Sequence, residues 1–382
     1  MNNYQDYLCE LRDKGNYRSL SSLNYRGINN LNLSSNDYLG IGSRKDLQKE
    51  FAEFIDVESF QMSAVSSRLL SGNHHEYERL EHELSEFYGK SALVFNSGWH
   101  ANTAILPALL DKDDVVIADK LVHASIIDGM KLCNATTMRF RHLDYKHLEQ
   151  LIIKYQSAKR IFVVTESVFS MDGDVADASE LIRLKEKYGI WLYVDEAHSC
   201  GVMGNLGKGW CEENDMLDHI DILLGTFGKA YASIGSFLIC DRRLKEVLIN
   251  KARSLIFSTA LPPVNVAWSR FILEQIPGMQ QERTYLKEIS QQLRDVIKAS
   301  AFRTLGSSHI VPMIVGDNSD TLELSDYYKQ NGFFVLPIRP PTVPQGTARL
   351  RFSLTAGISK YQIQELLSFT KSIERHESIL EK

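Results

Sequence analysis

Tyr193-Val194-Asp195-Glu196-Ala197-His198 is the stretch on which the reading of this chain turns. Ile190–Val194 is an unbroken apolar and aromatic run, the composition of a strand buried on both faces. The run ends on Asp195, with His198 three residues on. A strand here therefore delivers a carboxylate and an imidazole at its carboxyl end, where ligands bind in open α/β sheets. A second strand-like run, Ile220–Leu224, apolar apart from Asp221, delivers Gly225-Thr226-Phe227-Gly228-Lys229 at its own carboxyl end. A third, Ala92–Phe95, leads into Asn96-Ser97-Gly98-Trp99-His100-Ala101-Asn102, a glycine turn opening a helix whose first amides suit a phosphate.

Working outward, strand-like runs also occupy Asp114–Ala118, Arg160–Thr165 and Ser236–Cys240. Amphipathic stretches at His75–Tyr88, Ser125–Cys133, Lys146–Tyr155 and Ala178–Tyr188 alternate with them. That alternation predicts an α/β fold with a mostly parallel sheet covered by helices on both faces. After Leu261-Pro262-Pro263 the pattern changes to long helices over Asn265–Ile297. Strands then follow at His309–Val315, Phe333–Pro337 and Arg349–Leu354, with a closing helix after Ser359. The expected organisation is an N-terminal arm over 1–45 packing on the small domain, a large α/β domain over 46–265 and a small α+β domain over 266–382.

Composition narrows the classes. The chain has 382 residues, 44% of them apolar and 24% charged, enough to bury a large core. Forty-three basic against 48 acidic residues give a net charge of −5, which argues against a nucleic-acid binder. Five widely spaced cysteines without a C-x-x-C suit a reducing cytoplasm, neither a disulfide framework nor a zinc site. The uncharged stretch Ser91–Leu110 is long enough to raise the membrane question. Its Asn, Ser, Gly, His and Pro residues read instead as strand, turn and helix.

Several motifs fail. Gly201-Val-Met-Gly204-Asn-Leu-Gly207-Lys-Gly209 is not G-x-G-x-x-G and reads as a turn-rich loop. Gly228-Lys229 lacks the upstream glycine and the following Ser or Thr of a P-loop. His74-His75 has no partner at zinc spacing and reads as a solvated helix start; no metal site is expected.

Taken singly, a strand-end aspartate caps a helix, a lysine is a solvated charge and a glycine makes a turn. Together, the three segments supply an amine, a carboxylate and a phosphate cup, the set that pyridoxal phosphate requires. At this point the chain resembles the α-oxoamine synthases. These are fold-type I pyridoxal-phosphate enzymes that join an amino acid to an acyl thioester and release carbon dioxide. The resemblance extends from Leu33-Ser-Ser-Asn-Asp-Tyr-Leu-Gly40 through Thr165–Asp174 and Ser254–Thr259 to Ala348-Arg-Leu-Arg351. Ile338–Arg351 and Val315–Ser319 are most similar to the biotin-pathway branch. That branch condenses L-alanine with a pimeloyl thioester, carried by coenzyme A or an acyl carrier protein. A sibling member using glycine and a short acyl-CoA is the rival reading.

The resemblance implies a role for each matching residue. Lys229 carries the cofactor and then takes the Cα proton, Asp195 keeps the ring nitrogen protonated, and His123 stacks on the ring. His198 meets the ring's phenolic oxygen. Ser170 and Thr226 touch the cofactor, and Gly98 and Trp99 offer backbone amides to its phosphate. Ser258 and Thr259 serve the phosphate of the neighbouring subunit, which implies a homodimer. Arg351 and Asn36 hold the amino-acid carboxylate, and Arg18 and Thr342 are further substrate contacts. One departure stands out. The family's G-x-G-S-G-G-S/T-R segment is Gln61-Met-Ser-Ala-Val-Ser-Ser-Arg68 here, which removes its glycines and with them backbone freedom.

Overall fold

Each of the six strand-like runs of the first region forms a strand, and a seventh strand joins them. In the computed structural model, which describes residues 2–20, 31–55 and 61–373, these are β1 (Ser91–Phe95), β2 (Val115–Asp119), β3 (Thr136–Phe140), β4 (Ile161–Glu166), β5 (Trp191–Asp195), β6 (Ile222–Thr226) and β7 (Ser236–Cys240). Their order across the sheet is β1-β7-β6-β5-β4-β2-β3. From β6 to β3 every pairing is parallel; β7 runs antiparallel to both β6 and β1. The sequence pattern does not announce β3. Both β1 and β3 are edge strands, but β1 is buried whereas Thr136, Thr137 and Arg139 of β3 are exposed, so β3 lacks the apolar run of the buried strands.

The connecting helices include α1 (His75–Tyr88), α2 (Gly98–Leu109), α3 (Ala124–Leu132), α4 (Tyr145–Lys154) and α5 (Ala178–Tyr188). Leu93, Ile105, Leu106, Val116, Phe162, Val164, Leu224 and Leu238 share one buried core between sheet and helices. Helices α2 and α3 approach backbone to backbone at Gly129, where an added Cβ would lie 2.2 Å from the Asn102 carbonyl oxygen. Each parallel crossover returns the chain to the same edge, so Asp119, Glu166, Asp195 and Thr226 all end their strands on one side of the sheet. Register places Glu166 opposite Asp195.

The chain divides into two compact units. One comprises 39–169 and 175–283; the other comprises 1–38, 170–174 and 284–382. α6 (Pro263–Gln275), after the Pro pair, therefore belongs with the large unit, where it packs on α1. In the small unit, β8 (Ile310–Gly316) and β9 (Ala348–Ser353) pair antiparallel, and Pro337–Ile338 adds a third strand beside β9. The N-terminal arm joins this unit through Leu31–Asn32, which pairs parallel with Phe333–Phe334. Residues 21–30 of the expected arm and 374–382 of the expected closing helix lie outside the described residues.

Among the described residues no helix is long and apolar enough to cross a membrane; Ser91–Leu110 forms β1, a turn and α2. The five cysteines are all free thiols: Cys200, Cys211 and Cys240 are buried, Cys133 is partly buried and Cys9 is exposed. In the glycine-poor segment, Val65 takes φ of 48°, the left-handed conformation that β-branched residues avoid, with its side chain in solvent.

Candidate active site

Asp195 ends β5 with 5% of its surface exposed, and its two carboxylate oxygens have separate partners. Oδ1 accepts from the Ala197 amide at 2.9 Å and Oδ2 from the Asn102 side-chain amide at 2.9 Å. Beyond β6, the Lys229 ammonium lies 2.7 Å from Nε2 of His198, so the pair expected at two different strand ends meets directly. Thr226 is buried. Its hydroxyl donates to the Gly235 carbonyl at 3.0 Å and accepts from the Gly228 amide at 3.2 Å, which shapes the loop that carries Lys229.

His123 caps α3. Its backbone amide donates to Oε1 of Glu166, and its ring lies edge-on to Trp99 with 6.0 Å between centroids. Burial lowers the His123 pKa; the Asp195 charge opposes this shift and the Lys229 charge adds to it. Glu166 responds in the opposite sense, raised well above the carboxylate range by burial and by the adjacent Asp195.

At the start of α2 the Ser97 hydroxyl accepts from the His100 amide at 3.2 Å. The helix pattern leaves the amides of Gly98 and Trp99 outside its own hydrogen bonds. A Cβ on Gly98 would meet nothing within 4 Å. Asn96 ties this turn to the strand-like segment of Ser258 and Thr259 by donating to the Thr259 carbonyl at 2.6 Å. Thr259 is exposed and Ser258 half-buried. An amine, a ring-facing acid, helix-start amides and a hydroxyl are the donor set that pyridoxal phosphate fits.

The small unit brings the other predicted residues together in two groups. The Arg351 guanidinium donates from Nε to the Ser170 carbonyl at 2.5 Å, to the Ser353 hydroxyl at 2.8 Å, and to Oδ1 of Asn36 at 3.3 and 3.4 Å. Beside it, Arg349 makes a buried ion pair with Asp172, which anchors the short segment containing Ser170. Arg18 donates to the Thr342 hydroxyl at 2.7 Å in an exposed contact.

Four residues of the site escaped the sequence reading: Asn102, Ser125, Glu166 and Tyr193. Asn102 and Ser125 stand inside segments that were singled out, yet an Asn in a helix and a Ser two residues past a His carry no signal of their own. Tyr193 and Glu166 look like ordinary strand residues until the register is known. His74 corrects the reading of a solvated helix start: it is partly buried, with Nε2 3.2 Å from the Leu261 carbonyl oxygen. No cluster of metal-ligating side chains occurs among the described residues.

Comparison with known proteins agrees with this arrangement. An 8-amino-7-oxononanoate synthase of Haemophilus ducreyi is 47% identical over 385 residues, covering 96% of this chain and all of that one. The solved structure of SPT with pyridoxal phosphate as its internal aldimine superposes with a TM-score of 0.90 at 29% identity, over 99% of this chain and 98% of that one. The crystal structure of 8-amino-7-oxononanoate synthase from Francisella tularensis gives a TM-score of 0.75 at 29% identity, over 91% of this chain and 99% of that one. Residues 28–369 match the family description in a single span, and the chain belongs to the aminotransferase class I and II family.

Proposed function

We propose that this chain is a pyridoxal-phosphate enzyme that condenses L-alanine with a pimeloyl thioester to give 8-amino-7-oxononanoate, carbon dioxide and a free thiol, a step of biotin biosynthesis. The observation that carries the reading is the convergence of Lys229, His198, Asp195 and His123 in the large unit, in a chain 47% identical to a synthase of that name.

Lys229 would hold pyridoxal phosphate, with Asp195 towards its ring nitrogen and Gly98, Trp99 and Thr226 towards its phosphate, and the bound group would supply an electron sink for the reaction at Cα. Lys229 takes the Cα proton of alanine. The electron pair forms the carbon–carbon bond to the thioester carbonyl, and the thiolate leaves. Arg351, a fork-shaped donor steadied by Asn36, holds the alanine carboxylate until condensation is complete. That carboxylate then departs as carbon dioxide, and a proton returns to the same carbon. Burial keeps His123 neutral, so it acts as a hydrogen-bond donor towards the acyl carbonyl. Arg18 and Thr342 contact the acyl chain. The enzyme works in the cytoplasm as a homodimer, with Ser258 and Thr259 of each copy reaching the other's phosphate. The exposure of Met62, Leu70 and Phe257 supports that pairing.

The test is mass analysis of the product from L-alanine and pimeloyl thioester, run beside glycine with acetyl and succinyl thioesters. An amino ketone from the first pair, at the higher kcat/KM, is the expected result. Preference for glycine and a short acyl group would replace this reading with the sibling chemistry. Discrimination against glycine itself is modest, because one methyl group in an apolar pocket is worth only ~1–3 kcal/mol.

A further inference from the structure

Asn102 is 2% exposed, and its side chain joins three polar groups. Its Oδ1 accepts from the Tyr193 hydroxyl. Its Nδ2 donates to Oδ2 of Asp195 at 2.9 Å and to the Ser125 hydroxyl at 3.0 Å. Ser125, fully buried, lies 2.7 Å from Nδ1 of His123, and its backbone amide points at the same nitrogen at 3.3 Å.

These contacts have a direction. An ionised Asp195 can only accept, so the Asn102 amide must turn its NH2 towards it. The second proton of that NH2 then meets the Ser125 oxygen. With that lone pair used, the hydroxyl proton of Ser125 turns to the Nδ1 lone pair of His123. The Ser125 backbone amide, which can only donate, addresses Nδ1 as well. Two donors at one nitrogen leave it no proton, so a neutral His123 carries its proton on Nε2.

We propose that Asn102 and Ser125 are positioning residues that fix the proton of His123 on Nε2, and that Asp195 sets the direction of the chain. Asn102 thereby ties the acid that faces the cofactor ring to the imidazole that donates to the substrate. The close approach of α3 at Gly129 to the Asn102 carbonyl holds that junction in place. The proposal rests on the role given to His123 above only for its consequence; the proton's position is a property of the protein alone.

The experiment is nitrogen NMR of protein labelled with 15N-histidine, with and without pyridoxal phosphate, His123 being assigned by the signals lost in His123→Gln. The expected result is a protonated Nε2 and an unprotonated, hydrogen-bonded Nδ1 in both forms. Ser125→Ala should lower the ratio of Nε2–H to Nδ1–H by about 5- to 10-fold, the worth of one hydrogen bond, and Ser125→Thr should restore it. Asn102→Leu should lower it similarly, and where that variant folds poorly, Ser125→Ala carries the test. A proton on Nδ1 in the unsubstituted protein, or an unchanged ratio in Ser125→Ala, overturns the proposal. Neither result depends on substrate, so failure of the alanine and pimeloyl reading would show in turnover and leave the tautomer measurement standing.

Discussion

Asp195 is gripped by donors from two parts of the large unit, deep in the protein, whereas Arg18 and Thr342 meet through one exposed hydrogen bond in the small unit. Arg351 stands between these extremes, buried but with a guanidinium shared among three acceptors. Groups that stabilise charge at the reacting atoms gain from burial and fixed geometry. Groups that admit a long flexible chain do not need either, and a solvent-exposed contact contributes little on its own. The two kinds of residue should therefore fail in different kinetic parameters and by different amounts.

Lys229→Ala should show the largest effect, a loss of turnover of about 10^4-fold or more, because it removes both the attachment point and the proton carrier. Residual turnover within tenfold of the parent would break the assignment. Asp195→Asn should still bind pyridoxal phosphate, as seen in its absorbance, yet lose roughly 10^2- to 10^3-fold in kcat, since an amide cannot hold the ring proton. Arg351→Ala should raise the KM for alanine by roughly 10- to 150-fold, the value of charge-assisted hydrogen bonds worth ~1.5–3 kcal/mol, with the thioester KM little changed. A larger change in the thioester KM would mean that the two substrates had been assigned to the wrong arginines. Arg18→Ala should change the thioester KM by only about 2- to 5-fold, as expected of an exposed contact.

The smallest effect concerns acidity on the gripped side of the comparison. Glu166 titrates above its ordinary range in the folded protein. The folded state therefore binds that proton more tightly than the unfolded chain does. Stability from this group is full below the ordinary carboxylate pKa and is lost as pH rises through the raised one. Glu166→Gln keeps an oxygen for the His123 amide and removes the charge. In cofactor-free protein it should match the parent's melting temperature near pH 4 and exceed it by about 2–4 °C at pH 8. His123 has the opposite sign of dependence: its lowered pKa gives stability that is present above the ordinary histidine value and is lost as pH falls below it.

Much of the fold was legible because buried strands must be largely apolar, and six of the seven are buried. β3 was not legible because Thr136, Thr137 and Arg139 are exposed, and an exposed strand has no such requirement. The chemical groups could be read off strand ends: Asp195, His198 and Lys229 each follow an apolar run. What the sequence could not reveal was pairing. That Glu166 stands opposite Asp195 is a fact of register, and that Asn102 reaches Asp195 across 93 residues is a fact of packing. The glycine-poor segment is instructive in the other direction. Loss of its glycines removes backbone freedom, and Val65 nonetheless adopts a left-handed φ of 48° with its side chain in solvent.

The placement of the thiols bears on how the enzyme tolerates its own product. The proposed reaction releases a thiol at each turnover, which in an oxidising sample becomes a disulfide able to modify accessible cysteines. Burial pushes Cys200, whose sulfur lies 3.7 Å from the Thr226 carbonyl, and Cys240 up to about 12. Near neutral pH very little of either group is then a thiolate, the form that exchanges. The buried thiols are thus protected from mixed disulfides by the same desolvation that builds the core, and Cys9 on the surface, followed by the partly buried Cys133, is where such reagents would react first.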